Sequence, residues 1–198
     1  SDTSQSIAFV DTEIDPKTKA IVDIGCVKND GSFFHQTSIS AFVAFLKNSN
    51  FICGHNIFNH DIKYIANAIY DAGVDTSNII DTLFLSPLLF PSNPYHALLK
   101  DDKLQSEDSN NPLNDSIKAK DLFYDEVASF HKTEIVLKEI YYLLLRDTHQ
   151  FQAFFRFIGF TTLQNDVGLL IKQKFHDEFC QNVDLRKMIL EHPIDLAY

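Results

Sequence analysis

The chain has no tryptophan, one methionine and three cysteines in 198 residues. Each shortage removes a class of protein. A membrane-spanning helix needs about 20 consecutive apolar residues, and no segment approaches that length. The start of the chain lacks the basic-then-apolar leader pattern that directs secretion. Cys26, Cys53 and Cys180 lie far apart and form no Cys-x-x-Cys pair. A disulfide framework or a zinc site is therefore not expected, and the three read as free, buried thiols in a reducing compartment such as the cytoplasm. Positive charge is short as well: 17 Lys and Arg stand against 27 Asp and Glu, a net charge of −10. That balance argues against a broadly basic surface that coats nucleic acid. It leaves room for an enzyme that gathers carboxylates around metal ions and lets the ions meet phosphate.

What is abundant is phenylalanine, 18 residues in a chain that is 45% hydrophobic, which points to a well-filled core. The length suffices for one substantial core, or for a compact domain with an appendage. No repeat or low-complexity tract interrupts it. The chain begins at Ser1 and stops at Tyr198 in a segment with helical spacing, so it is expected to be a piece of a longer protein.

Hydrophobic periodicity predicts a short strand over 6–14 (SIAFVDTEI) and a second over 20–27. The turn Lys28-Asn29-Asp30-Gly31 returns the chain into a third strand over 32–38. A helix is expected over 39–47, a fourth strand over 50–54, a helix from Asn59 stopped by Gly73, and a fifth strand over 78–83. Residues 88–112, rich in Pro, Ser, Asn and Asp, read as an exposed connection with a short helix near Ala97–Lys100. A strong helix follows over 113–130. Beyond Thr133 strand signals vanish, and helices are expected over 133–146, 150–158, 166–179 and 184–191. The composition shift divides the chain into a mixed α/β domain, 1–130, and a helical extension, 131–198.

Three acidic signals fall at element ends. Asp11 and Glu13 lie two residues apart near the exit of the first strand, and that spacing puts both carboxylates on one face. Asp61 closes the run GHNIFNHD, which leaves a strand and enters a helix. Asp115 lies near the start of the long helix. Four carboxylates brought together from distant segments form an oxygen-donor set suited to Mg²⁺ or Mn²⁺, and such a set can hold an ion pair that hydrolyses phosphodiesters. Each acid also has a bland reading. Asp-x-Glu occurs in solvated turns, and Asp61 and Asp115 could be helix caps. His55 and Asn56 could simply satisfy backbone groups in a tight turn.

The ordered set resembles the DnaQ-like (DEDD) 3′→5′ exonucleases of the ribonuclease H-like superfamily. FVDTEID followed by a hairpin is similar to their first motif, GHNIFNHDIKYI to the second, and PLNDSIKAKDLF to the helix of the third. Asp81-Thr82-Leu83 resembles the stretch that closes the intervening strand. The resemblance covers about residues 6–130 and is carried by the order of the motifs more than by any one of them. It implies a five-stranded mixed sheet flanked by helices, with a C-terminal helical extension. It implies catalysis by Asp11, Glu13, Asp61 and Asp115 holding two divalent ions, Mg or Mn, and a nucleic-acid 3′ end bound near Thr12 and Asn56. DNA ranks ahead of RNA, and fusion to a helicase or polymerase module is the context that relatives suggest.

One feature departs from that family. Its third motif places a His five residues before the last Asp, or a Tyr four before it. Asn110 and Asn111 stand there, and an amide does not titrate near neutral pH. The general base is left between His96, which heads a rival third motif (HALLKD), and whatever occupies the place of Asn110. A catalytically weak nucleic-acid- or partner-binding module is the alternative to an active nuclease.

Overall fold

The computed structural model describes residues 5–93, 96, 111–176, 178 and 184–198. Five strands form one mixed sheet: β1 (Ile7–Ile14), β2 (Ile21–Lys28), β3 (Phe33–Gln36), β4 (Phe51–Gly54) and β5 (Ile79–Asp81), in spatial order β3-β2-β1-β4-β5. β1 pairs antiparallel with β2 and parallel with β4, and β5 runs parallel to β4. This is the ribonuclease H-like α/β arrangement. The β2–β3 hairpin turns where the Asp-Gly signal lies, with Gly31 at φ +89° and its N–H donating to Lys28 O.

Helices cover both faces. α1 (Ile39–Leu46) and α2 (Ile62–Asp71) lie on one side; their Phe42, Leu46, Ile65 and Ile69 pack with Ala8, Val10 and Ile52 of the sheet. The other face, presented by Ile7, Phe9, Phe51 and Cys53, is covered by α3 (Thr82–Leu89), α4 (Pro112–Lys132) and the helices that follow. These are α5 (Ile135–Leu145), α6 (Gln152–Ile158), α7 (Val167–Lys174), α8 (Leu185–Glu191) and α9 (Pro193–Ala197). The 18 phenylalanines are used here: Phe9, Phe123, Phe130, Phe151 and Phe154 are fully buried, and Phe51 meets Phe157 of α6 edge to face at 5.4 Å. The extension 131–198 thus shares one core with the sheet face that carries Ile7 and Phe9.

The structure corrects one stretch. Residues 82–83 do not extend β5, because Asp81 ends the strand and caps α3, its Oδ1 accepting from Leu83 N. Ile79, Ile80 and Thr82 favour an extended reading by β-branching, and Pro87 inside the helix hides its continuation. Leu88 and Leu89 are consequently buried helix rather than exposed connection. The short helix expected near Ala97–Lys100 lies outside the described residues. No described helix is long and apolar enough to cross a membrane.

Candidate acidic site at the strand ends

β1 alternates strictly until its register shifts between Glu13 and Ile14. Asp11 and Glu13 therefore continue the Ile7–Phe9 face, while Thr12 turns to the opposite side. Both acids are half-buried and Thr12 is buried. Asp61 does not cap α2, since its side chain makes no cap hydrogen bond. Its Oδ1 instead accepts from Thr12 N at 2.9 Å and Thr12 Oγ1 at 2.5 Å, which ties it to the residue between Asp11 and Glu13. Burial raises the Asp61 pKa against these two bonds and the nearby His60, which lower it. His60 has Nδ1 3.5 Å from Asp61 Oδ1.

Asp115 is carried to the same region by a close contact. The N-terminus of α4 lies directly on Gly25 of β2: a Cβ there would come within 2.1 Å of Leu113 N and 2.2 Å of Pro112 C. Gly25 is the cross-strand partner of Asp11. The absence of a side chain at 25 thus lets the helix seat next to β1. Asn111 caps α4, its Oδ1 accepting from Leu113 N and Asn114 N. Asp115 is left as a half-buried acid in the first turn, where the helix dipole favours negative charge. The cap of α4 is thus Asn111.

A second carboxylate, unassigned in the sequence reading, organises the loop that leads to Asp61. Asp81 is fully buried. Its Oδ1 accepts from Asn56 N at 2.8 Å and from Leu83 N, and its Oδ2 accepts from Phe58 N at 3.2 Å. Burial pushes its pKa up to about 6, with the Asp61 charge adding to the rise and the three amides opposing it. Asn56 sits in the left-handed region, φ +62°, where Asn is tolerated, and its Oδ1 accepts from Asn59 Nδ2. The turn is tight, with Asn56 O accepting from Asn59 N and His60 N, while the Asn56 side chain bonds the Asn59 side chain rather than a backbone group.

The histidines lie one strand further along. His55 follows Gly54, which is paired with Asp81, and its Nδ1 is 2.8 Å from Thr82 Oγ1. Burial lowers its pKa; the His96 backbone opposes that and the His96 charge adds to it. His96 itself bonds Ser86 Oγ at 2.7 Å, which places it with α3, beyond β4 from β1. Asn110 lies outside the described residues.

Glu126 was missed altogether. It sits on the buried stripe of α4 with Ser116, Ala119, Phe123 and Phe130. Both its carboxylate oxygens are buried without a hydrogen-bond partner. Burial, with Asp81 and Asp125 adding to it, holds its pKa well above the carboxylate range. The sequence signal was the helical spacing from Phe123 to Phe130, which places 126 on the inner stripe.

Asp11 and Glu13 thus share one face of β1, Asp61 is bonded to Thr12 between them, and Asp115 lies in the first turn of the helix seated on Gly25. Among the described residues, however, no three His, Cys, Asp or Glu side chains come together closely enough to hold a metal ion. No protein-family model, no curated protein and no solved structure matches this chain.

Proposed function

We propose that this chain is a metal-dependent 3′→5′ exonuclease of the DEDD type, acting on nucleic-acid 3′ ends, DNA ahead of RNA. The observation that carries this reading is the Asp61–Thr12 pair: the acid of the second motif is fixed to the residue between the two acids of the first. The seating of α4 on Gly25, beside Asp11, supports Asp115 as the fourth member.

Carboxylates and no sulfur make a donor set that fits a hard divalent cation. Burial that disfavours the charged form of Asp61 is a cost that a bound cation offsets. Asp11, Glu13, Asp61 and Asp115 would hold two Mg or Mn ions, whose chemistry when bound is to activate water and stabilise the departing 3′ oxygen. The chain's own residues set the stage. Thr12 orients Asp61, Asp81 fixes the loop from Asn56 to Phe58 that leads to it, and Gly25 admits the helix bearing Asp115. The strand end would lie near Thr12 and Asn56. Buried, free Cys26 and Cys53 suit a reducing compartment, the cytoplasm, and a helicase or polymerase module is the proposed fusion context.

One observation favours a second reading, a weak or inactive binding module of the same fold. Asn111 spends its side chain on the α4 cap, so a titrating group is missing from that position. Mn²⁺ titration of the wild type beside Asp11→Ala and Asp61→Ala tests the metal claim: binding lost in both variants supports it, and binding unchanged in either refutes it. Wild type that binds single strands without shortening them would select the second reading.

A further inference from the structure

In the helical extension, α5, α6 and the residues that follow Gly159 enclose a cavity of about 370 Å³, within the range of about 300–1,000 Å³ of small-ligand pockets. Tyr142 of α5 and Arg146 at its end line the cavity, four residues apart and so on one side of the helix. Gln152 and Arg156 line it from α6 at the same spacing. Gly159 ends α6 in the left-handed region, φ +64°, and the Phe160 ring that follows meets Tyr142 edge to face at 5.7 Å.

Two of the chain's three arginines thus face one cavity, in a chain with a net charge of −10. They differ in what they hold. Arg156 clamps the turn that enters β5: its Nη1 donates to Ser77 Oγ at 3.0 Å and its Nη2 to Ser77 O at 2.7 Å. Each of those nitrogens keeps a second N–H. Arg146 lays its guanidinium over the Tyr142 ring, 5.4 Å from the centroid, and its Nε stands 3.6 Å from Asp147 Oδ2. That is longer than a hydrogen bond, so the planar fork is available to a ligand. A helix end favours a cation and accounts for either arginine alone. Both on one cavity, beside the half-buried rings of Tyr142 and Phe160, point to an anion with a flat apolar part.

We propose that this cavity binds a nucleoside monophosphate. The phosphate would lie between the two guanidinium groups, whose forks match its oxygens. The base would pack against Tyr142 and Phe160, and exposed Asp147 would accept from a sugar hydroxyl. A strand is disfavoured, because the cavity has the size for one small molecule and the net charge repels phosphates that would lie outside it. The cavity is separate from the acidic site. Arg156 holds Ser77, ahead of β5, whereas Asp81 at the other end of β5 holds the loop that leads to Asp61. The proposal therefore does not need the exonuclease reading, although a nucleoside monophosphate is also what that reaction releases.

The test is calorimetric titration of the full chain with adenosine 5′-monophosphate in EDTA, which keeps divalent ions off the acidic site. Wild type should bind at one site. Arg146→Gln should bind at least about tenfold more weakly; Arg146 is exposed, so this variant is expected to fold. Adenosine and inorganic phosphate should each bind wild type at least about tenfold more weakly than the nucleotide. Asp11→Ala should bind as wild type does. No binding by wild type at about 1 mM nucleotide, equal affinity in Arg146→Gln, or phosphate as tight as the nucleotide would overturn the proposal. So would a thymidine oligonucleotide without terminal phosphates that binds more tightly than the nucleotide. Strand digestion with Mn²⁺ is read separately: nucleotide binding without shortening keeps the cavity and removes the nuclease, and shortening without nucleotide binding does the reverse.

Discussion

Asp81→Asn separates the two forces acting on the buried acid beneath the site. With the amide oxygen in the place of Oδ1, the bonds from Asn56 N and Leu83 N survive. The new NH₂ then faces Phe58 N–H where Oδ2 accepted it, leaving a donor unpaired at about 1–3 kcal/mol. Against this stands the cost of the charge. Asp81 is fully buried, and its pKa rises from 3.8 to about 6, which at 1.36 kcal/mol per unit is about 3 kcal/mol. Between those pH values the folded protein holds a proton that the unfolded chain has released. The stability contribution is thus fully present below the unfolded value and is lost as pH rises through the folded one. Asn does not titrate. Urea unfolding between pH 4 and 7 should show the variant less stable at the acid end. It should gain on wild type by about 3 kcal/mol by neutral pH. Parallel stability profiles would refute the assignment of Asp81 as a carboxylate ionised at a cost.

Substitutions at three further positions probe the remaining supports. Gly25→Ala puts a methyl 2.1 Å from Leu113 N, so α4 must shift; a loss of about 3 kcal/mol or more in urea is expected together with loss of Mn²⁺ binding, and unchanged stability would contradict the seating. Glu126→Met replaces an acid whose two oxygens lack partners with an apolar side chain of similar length, and should raise the unfolding midpoint by about 1–3 kcal/mol in stability; a fall would show that Glu126 has a partner worth keeping. Asn111→Ala removes the α4 cap and should cost about 0.5–2 kcal/mol, with Asn111→Asp close to wild type; equal stability of all three would show the cap to be idle.

The strands and the long helix were legible because their signals are local. Alternation set the Asp11–Glu13 face, and the Asp-Gly turn set the β2–β3 hairpin. What escaped depends on contacts between distant segments. Gly25 looks like any strand glycine until α4 is laid on it, 87 residues downstream of its own position at Pro112. Asp81 reads as the polar end of a strand, and only the folded loop shows that it gathers amides from residues 56 and 58 as well as its own helix. Asp61 taken singly could be a cap, and its side chain, bonded to Thr12, makes no cap hydrogen bond. The β5–α3 boundary was misplaced because β-branched residues run up to a capping aspartate and a proline interrupts the helix after it. The contact of His149 with the ring of Phe58 across the fold gave no local signal either.

In the proposed exonuclease Asp11, Glu13, Asp61 and Asp115 act together on a nucleic-acid 3′ end. Digestion of 5′-end-labelled single strands with Mn²⁺ tests it most directly, wild type beside Asp11→Ala and Asp115→Ala. The ladder should shorten stepwise with wild type and stay intact with either variant. Full-length strands after incubation with wild type in both Mg²⁺ and Mn²⁺, or shortening that survives loss of Asp11, would contradict it.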